Sequence, residues 1–164
     1  MKTLIFTIGI SGAGKSTWAK TFVNENLDYI CVNRDRIRET LIPAHIENKW
    51  YQRKDFKDLE NIVSEIQRTL ILDTSYNIVL ENTNTNLKIL QKNIDFFEEL
   101  DMTLKFKIFD CNLNVAKQRV YLRDHVLVSN EEELFVDYSG KSEVEYIESQ
   151  YDSFLKVKEF ILNT

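Results

Sequence analysis

Apolar and β-branched residues gather in four short runs, Thr3–Gly9, Tyr29–Val32, Asn77–Glu81 and Thr103–Phe109. Each has strand length and ends in polar residues. Elsewhere the apolar positions recur at helical spacing. Phe56, Leu59, Ile62, Ile66 and Leu70 make one stripe expected to face a core, and Leu87, Leu90, Ile94, Phe97 and Leu100 make another. A third runs through Val144, Ile147, Tyr151, Phe154 and Ile161, in a last helix over about 142–162. Shorter helices are expected over about 15–26, from Arg34 to about Leu41, and from about Asn114 to Arg123. Pro43, the sole proline, marks a loop, and a mixed-charge connection holding Trp50 and Tyr51 follows it to Asp55. There is no internal repeat. Strands alternating with helices predict an α/β fold, a mostly parallel four-stranded sheet with helices on both faces and right-handed crossovers.

In such sheets ligands collect at the carboxyl ends of the strands. Here all four ends are polar: the stretch after strand one, Asn33-Arg34-Asp35, Glu81-Asn82-Thr83-Asn84, and Asp110. The first of these holds three of the four glycines, in Gly9-Ile10-Ser11-Gly12-Ala13-Gly14-Lys15-Ser16. It fits the phosphate-binding pattern G-x-x-x-x-G-K-[ST], and it lies between a strand and a helix, the context such a loop requires. A glycine turn with a purely structural role is the alternative, and it does not call for the whole motif. Backbone N–H groups around Gly12, Ala13 and Gly14, continuing into Lys15, Ser16 and Thr17, are expected to face inward as an anion nest. The helix N-terminus adds partial positive charge. Lys15 would reach the β- and γ-phosphates of ATP, and the Ser16 hydroxyl would help hold Mg²⁺.

Composition narrows the class. With 164 residues, 43% hydrophobic and 29% charged, the chain is expected to form one domain over 1–164. No apolar stretch reaches the length of a membrane span, and Met1-Lys2 leads straight into a strand, so neither membrane insertion nor a signal peptide is expected. Cys31 and Cys111 fit no metal spacing, which points to a reducing, cytoplasmic setting. The net charge of −5 is uneven: residues 1–123 carry 18 Lys/Arg against 16 Asp/Glu, residues 124–164 only 3 against 10. The acidic part follows every motif, so an anionic substrate at the glycine loop is not excluded. The overall acidity does argue against a long, salt-dependent grip on duplex nucleic acid.

A phosphoryl-transfer enzyme needs a carboxylate for the attacking hydroxyl and cations for other phosphates. Asp35 and Arg38, three apart, share one face of a helical turn after strand two. Asp35 at a helix start also reads as an N-cap beside a surface arginine; its place at a strand end favours the chemical role. Arg119 and Arg123, four apart on the helix after strand four, can close over a triphosphate or form a solvated basic face. Other residues suggest less. His45 and His125 fall in predicted loops without a partner at metal spacing. Trp50 and Tyr51, near Lys49, Arg53 and Lys54, suit helix packing better than nucleic-acid stacking. Glu131-Glu132-Glu133 suits a solvated helix start, and the terminal helix suits packing.

Four motifs in register resemble the kinase domain of the phage-type 5′-polynucleotide kinase family. They are Gly14-Lys15-Ser16-Thr17-Trp18-Ala19, Asn33-Arg34-Asp35-Arg36-Ile37-Arg38 against N-R-D-x-x-R, Asn82-Thr83-Asn84-Thr85-Asn86 against D-T-N-x-N, and Arg119 with Arg123 against a lid R-x-x-x-R. The agreement runs from residue 3 to about 124. The resemblance implies a P-loop kinase fold, with ATP and Mg²⁺ served by Lys15 and Ser16. Asp35 would be the general base for a 5′-hydroxyl of DNA or RNA. Arg38 and Thr83 would hold the acceptor's 3′-phosphate, with Asn82 beside them, and Arg123 would clamp the ATP phosphates. A role in nucleic-acid repair follows, with a separate ligase or phosphatase as a possible partner. Two features depart from the family. Asn82 stands where it has aspartate, with Glu81 adjacent, so Glu81 substitutes, or acceptor positioning differs, or activity is reduced. The D-x-D-G-T phosphatase motif is absent, so 3′-end processing is not expected. Two rival functions share the ATP site: a kinase for a small alcohol such as a nucleoside or sugar, and an ATP-binding module that has lost turnover.

Overall fold

Strand β1 (Thr3–Ile8) carries the densest apolar run and lies in the middle of the sheet. Its side chains alternate between two cores, Leu4, Phe6 and Ile8 in one and Ile5 in the other. The computed structural model describes residues 1–41, 56–127 and 143–163. Pro43, His45, Trp50, Tyr51 and Glu131-Glu132-Glu133 lie outside them.

The chain continues through α1 (Lys15–Glu25), β2 (Tyr29–Val32), α2 (Arg34–Leu41), α3 (Phe56–Asp73) and β3 (Asn77–Leu80). It then forms α4 (Leu87–Glu99), β4 (Thr103–Ile108), α5 (Leu113–Leu127) and α6 (Glu143–Leu162). The sheet order is β2-β3-β1-β4 and every pairing is parallel, with Leu4 opposite Ile78 and Leu104, and Val32 opposite Leu80. After β1 the chain skips a position to place β2 at the edge, and β4 is added on β1's other side. That reversal puts the carboxyl ends of β1 and β3 next to each other, where a crevice forms.

Helices cover both faces, as the alternation predicts. One face packs on α1 through Ile5, Val79 and Ala19, with Trp18 and Phe22 against them. The other packs on the remaining helices through Ile37, Val63, Leu90, Ile94, Phe97, Ala116, Ile147 and Phe154. Lys105 and Lys107 are exposed on β4, charges that blunt the sheet's edge. Among the described residues no helix is long and apolar enough to cross a membrane.

Three expectations change: Leu87 and Leu100, the ends of the stripe along α4, are exposed, and α3 and α5 differ as well. The buried seam of α3 runs through Val63 and Ile71 with Ile66 against it, while Ile62 and Leu70 are 50% and 40% exposed. The doublets Ile62-Val63 and Leu70-Ile71 offer two seams a residue apart, and only packing selects one. Helix α5 continues four residues past Arg123, so His125 lies in a helix rather than a loop. Nothing from Asp124 to Leu127 is a glycine or proline that would stop it.

The glycine loop's fit to α5 yields a stability prediction. Gly12 has φ 78°, and a Cβ there would lie 2.5 Å from the Ala116 carbonyl oxygen; Gly14 has φ 95° with nothing within 4 Å of a Cβ. Gly14→Ala therefore adds backbone strain alone, about 1–2 kcal/mol. Gly12→Ala adds strain and a backbone overlap, together roughly 2–4 kcal/mol. Thermal unfolding followed by circular dichroism should show the larger drop in Tm for Gly12→Ala. Equal drops would mean that α5 does not press on the loop.

Candidate active site

The glycine loop is tied from several sides. The Gly9 N–H donates to the Thr83 carbonyl at 3.0 Å, and the Ala13 N–H to Ile10 at 3.2 Å. Helix α1 starts at Lys15 with Gly14 as its left-handed N-cap, without a side-chain cap and without an acidic residue in its first turn. Its leading N–H groups and dipole are thus turned toward an anion with no carboxylate of the helix's own first turn competing. They open on a cleft of about 610 Å³ lined by Gly12, Gly14, Lys15, Ser16, Thr17 and Arg119, with Trp18 at its wall. Lys15 Nζ donates to the Ile10 carbonyl at 2.8 Å, bending the side chain back over the loop. Arg119 reaches across from α5 to donate to the Gly12 carbonyl at 3.2 Å. Arg123 lies one turn further along α5, and its side chain is outside the described residues.

At the bottom of the crevice Glu81 is 2% exposed, directly after β3. The Ser16 hydroxyl donates to its Oε1, the Cys31 thiol to its Oε2 at 3.4 Å, and Arg36 stands 4.0 Å from that oxygen. Burial, and then the negative charge of Glu81, push the Cys31 thiol up to about 12. Cys31 is therefore a protonated donor here, not a nucleophile. Among the described residues no group of three or more His, Cys, Asp or Glu could hold a metal. Mg²⁺ does not need one: it takes one or two protein oxygens and fills its octahedron with phosphate and water. The Ser16 hydroxyl and Glu81 carboxyl, together beside the anion nest, are a donor set of that kind.

Across Glu81 from the loop, α2 presents the acceptor candidates. Its N-cap is Asn33, whose Oδ1 accepts from the Arg36 N–H at 3.0 Å, and not Asp35. Asp35 is 79% exposed and its carboxyl pairs with Arg38 NH1. The Arg38 side chain is 18% exposed and forms a two-point bond with Glu60 on α3, Nε to Oε1 and NH2 to Oε2. Arg34 shares Glu60 Oε2 at 2.8 Å and reaches Ser64 at 3.0 Å. Burial works against the charge on Arg38, but its bonds to Glu60 and Asp35 outweigh burial and hold its proton more firmly than usual. The Arg38 hydrogen bond, outweighing burial, likewise keeps the Glu60 carboxyl below the usual range.

The asparagine-rich stretch after β3 is largely architectural. Asn82 Oδ1 accepts from the Arg34 N–H at 3.3 Å, which fastens the start of α2. Asn84, at φ 49°, donates to the Thr7 carbonyl, and Asn86 caps α4 by accepting from the Ile89 N–H. Thr83 is half-buried, and its carbonyl anchors Gly9. The fold thus brings Lys15, Ser16, Arg119, Asp35, Arg38, Asn82 and Thr83 to the same end of the sheet. Glu60 is missed by the sequence reading, and Glu81 enters it only as a substitute for Asn82. A lone glutamate on a mixed helix carries no motif, whereas a carboxyl ending an apolar strand does signal a special position.

Comparisons with known proteins bear on the family and the fold. A family model described as an AAA domain matches residues 4–132. The chain is 28% identical over 171 residues to a protein of Autographa californica nuclear polyhedrosis virus designated a bifunctional polynucleotide kinase/RNA ligase. That alignment covers 97% of this chain and 22% of the viral protein. Among solved structures, a chain of the Pnkp1/Rnl/Hen1 RNA repair complex superposes with a TM-score of 0.68 at 23% identity, over 96% of this chain and 45% of that one. The Mycobacterium tuberculosis APS kinase CysC, solved with AMPPNP and APS, gives 0.53 at 14% identity, over 93% and 96%. The chain spans less than half of the viral relative and of the repair-complex chain. The fold is that of a P-loop kinase.

Proposed function

The chain belongs to the AAA-domain family, whose pattern spans residues 4–132, and from that premise we propose that it is an ATP-dependent kinase for the 5′-hydroxyl ends of DNA or RNA. One observation carries the acceptor half of this reading: the Asp35–Arg38 pair, anchored by Glu60, lies on α2, whose Arg36 stands 4.0 Å from the Glu81 carboxyl that accepts from Ser16 of the phosphate loop. The viral relative's designation and the RNA repair complex support the same acceptor class.

In this reading the loop amides from Gly12 to Thr17 and the Lys15 ammonium hold the ATP phosphates. Arg119 and Arg123 close over them from α5 and stabilise the charge that spreads on the transferring phosphoryl. Ser16 and Glu81 would hold Mg²⁺, which would supply positive charge to the phosphates. Asp35 accepts the proton of the 5′-hydroxyl as the hydroxyl oxygen attacks the γ-phosphorus, and the bond from phosphorus to the β–γ bridging oxygen breaks to release ADP. Arg38, with Thr83, receives the acceptor's 3′-phosphate. Asn82 serves by fixing the start of α2, so its lack of charge costs the base nothing directly. Residues 1–164 act as one kinase domain. Because the first nucleotide is gripped through one phosphate, short acceptors should suffice, which suits a net charge of −5.

The competing reading, a small-acceptor kinase, draws on the fold shared with APS kinase. Comparing a nucleoside with its 3′-monophosphate as acceptor separates the two. The monophosphate should be strongly preferred, and Arg38→Ala should cost it roughly 2–4 kcal/mol in kcat/KM, the scale for stranding a desolvated charged partner. ATP affinity should hardly change, and Glu60 keeps Arg34 as a partner, so the fold should stand. Equal use of both acceptors by the wild type would leave the small-molecule kinase as the better account.

A further inference from the structure

Helix α6 carries no phosphate-binding or acceptor motif, yet one of its side chains touches the glycine loop. Gln150 is 7% exposed, and its Oε1 accepts the Ser11 N–H at 2.9 Å. It lies on the helix's apolar seam, between Ile147 and Phe154 with Val157 beyond, all three 2% exposed or less. Spacing of three, four and three residues makes Gln150 a seam position, where packing alone selects an apolar side chain. Burying an amide there costs free energy unless its polar atoms are used. The use is at Ser11, third residue of the phosphate-binding motif.

A backbone N–H points one way. With its hydrogen directed at α6, Ser11 is turned away from the cleft, whose lining begins at Gly12. The bond therefore fixes the loop from behind, just before the residues whose N–H groups must face the phosphates. The helix is itself held in place against the site: Lys117 of α5 pairs with Glu148, and Lys158 pairs with Asp110 after β4.

We propose that Gln150 is a positioning residue for ATP binding, and that α6 belongs to the ATP site as well as to the core. The proposal rests on the reading that the loop binds ATP and is independent of the acceptor's identity. Calorimetric titration of the full chain with ATP and Mg²⁺ tests it, using wild type, Gln150→Leu, Gln150→Glu and Lys15→Ala. Gln150→Leu should bind ATP about tenfold more weakly, the scale of one buried donor left unpaired. Gln150→Glu keeps an oxygen acceptor at the same place and should bind within about threefold of wild type. Unaltered binding by Gln150→Leu overturns the proposal, as does Gln150→Glu being as weak as Gln150→Leu at a similar Tm. Amide hydrogen exchange on the wild type needs no variant: the Ser11 N–H should be protected without nucleotide, and rapid exchange there overturns the proposal even if Gln150→Leu fails to fold. If instead the wild type does not bind ATP, or Lys15→Ala binds as well as it does, the ATP-site reading itself fails and this inference falls with it.

Discussion

Lys15→Ala should abolish phosphoryl transfer, by roughly a thousandfold or more, while the protein still folds. The magnitude follows from the place of the charge. A preorganised donor aimed at developing negative charge is worth about 10²–10³ in kcat for a neutral group, and an ammonium on the phosphates adds charge to that. The tolerance of the fold follows from burial: Lys15 is half-buried at the rim of an open cleft and fills no core position. Its bond to the Ile10 carbonyl is a resting contact on a loop already fastened through Gly9, Ser11 and Ala13. Circular dichroism should be unchanged, with Tm within a few degrees, and transfer to a 5′-hydroxyl oligonucleotide should vanish. Near-normal turnover would sink the assignment of this loop as the phosphate site.

The phosphate loop is the part of the site most legible in the sequence, because its physics is local. A strand, a glycine-permitted turn and a helix N-terminus follow one another in the chain, so eight consecutive residues state the whole device. The acceptor side is less legible, because its parts meet only in three dimensions. Arg38 is held by Glu60, 22 residues away on α3, and no spacing rule links them. The sequence does suggest a cap at the start of α2, but Asn33 and Asp35 are both good caps, and only the fold shows which of them does it. The asparagines after β3 look like a binding motif, while their side chains mostly fasten backbone. Gln150 left a trace that periodicity can find: a polar residue on an apolar seam. The seam of α3 was ambiguous for the opposite reason, since adjacent apolar pairs satisfy two registers equally.

The second large effect concerns the base. Asp35→Asn should lower kcat by about 10²–10⁴, the usual contribution of a positioned general base, and leave ATP affinity within about twofold. The substitution is nearly isosteric, and the new amide oxygen can still accept from Arg38 NH1. Because Asn33 caps α2, the helix start does not depend on position 35. Arg38 keeps its two-point bond to Glu60, so the acceptor's phosphate still meets a fixed guanidinium. Removing the negative charge beside Arg38 also removes a competitor for that phosphate. The KM for a nucleoside 3′-monophosphate should therefore hold or fall while kcat collapses. Steady-state kinetics with the acceptor varied, alongside calorimetric ATP binding, separates these quantities. A loss concentrated in ATP affinity would place Asp35 in the donor half of the site. An unchanged kcat would mean that the hydroxyl loses its proton elsewhere, and buried Glu81, bonded to Ser16 at the foot of the same crevice, would be the carboxyl to examine next.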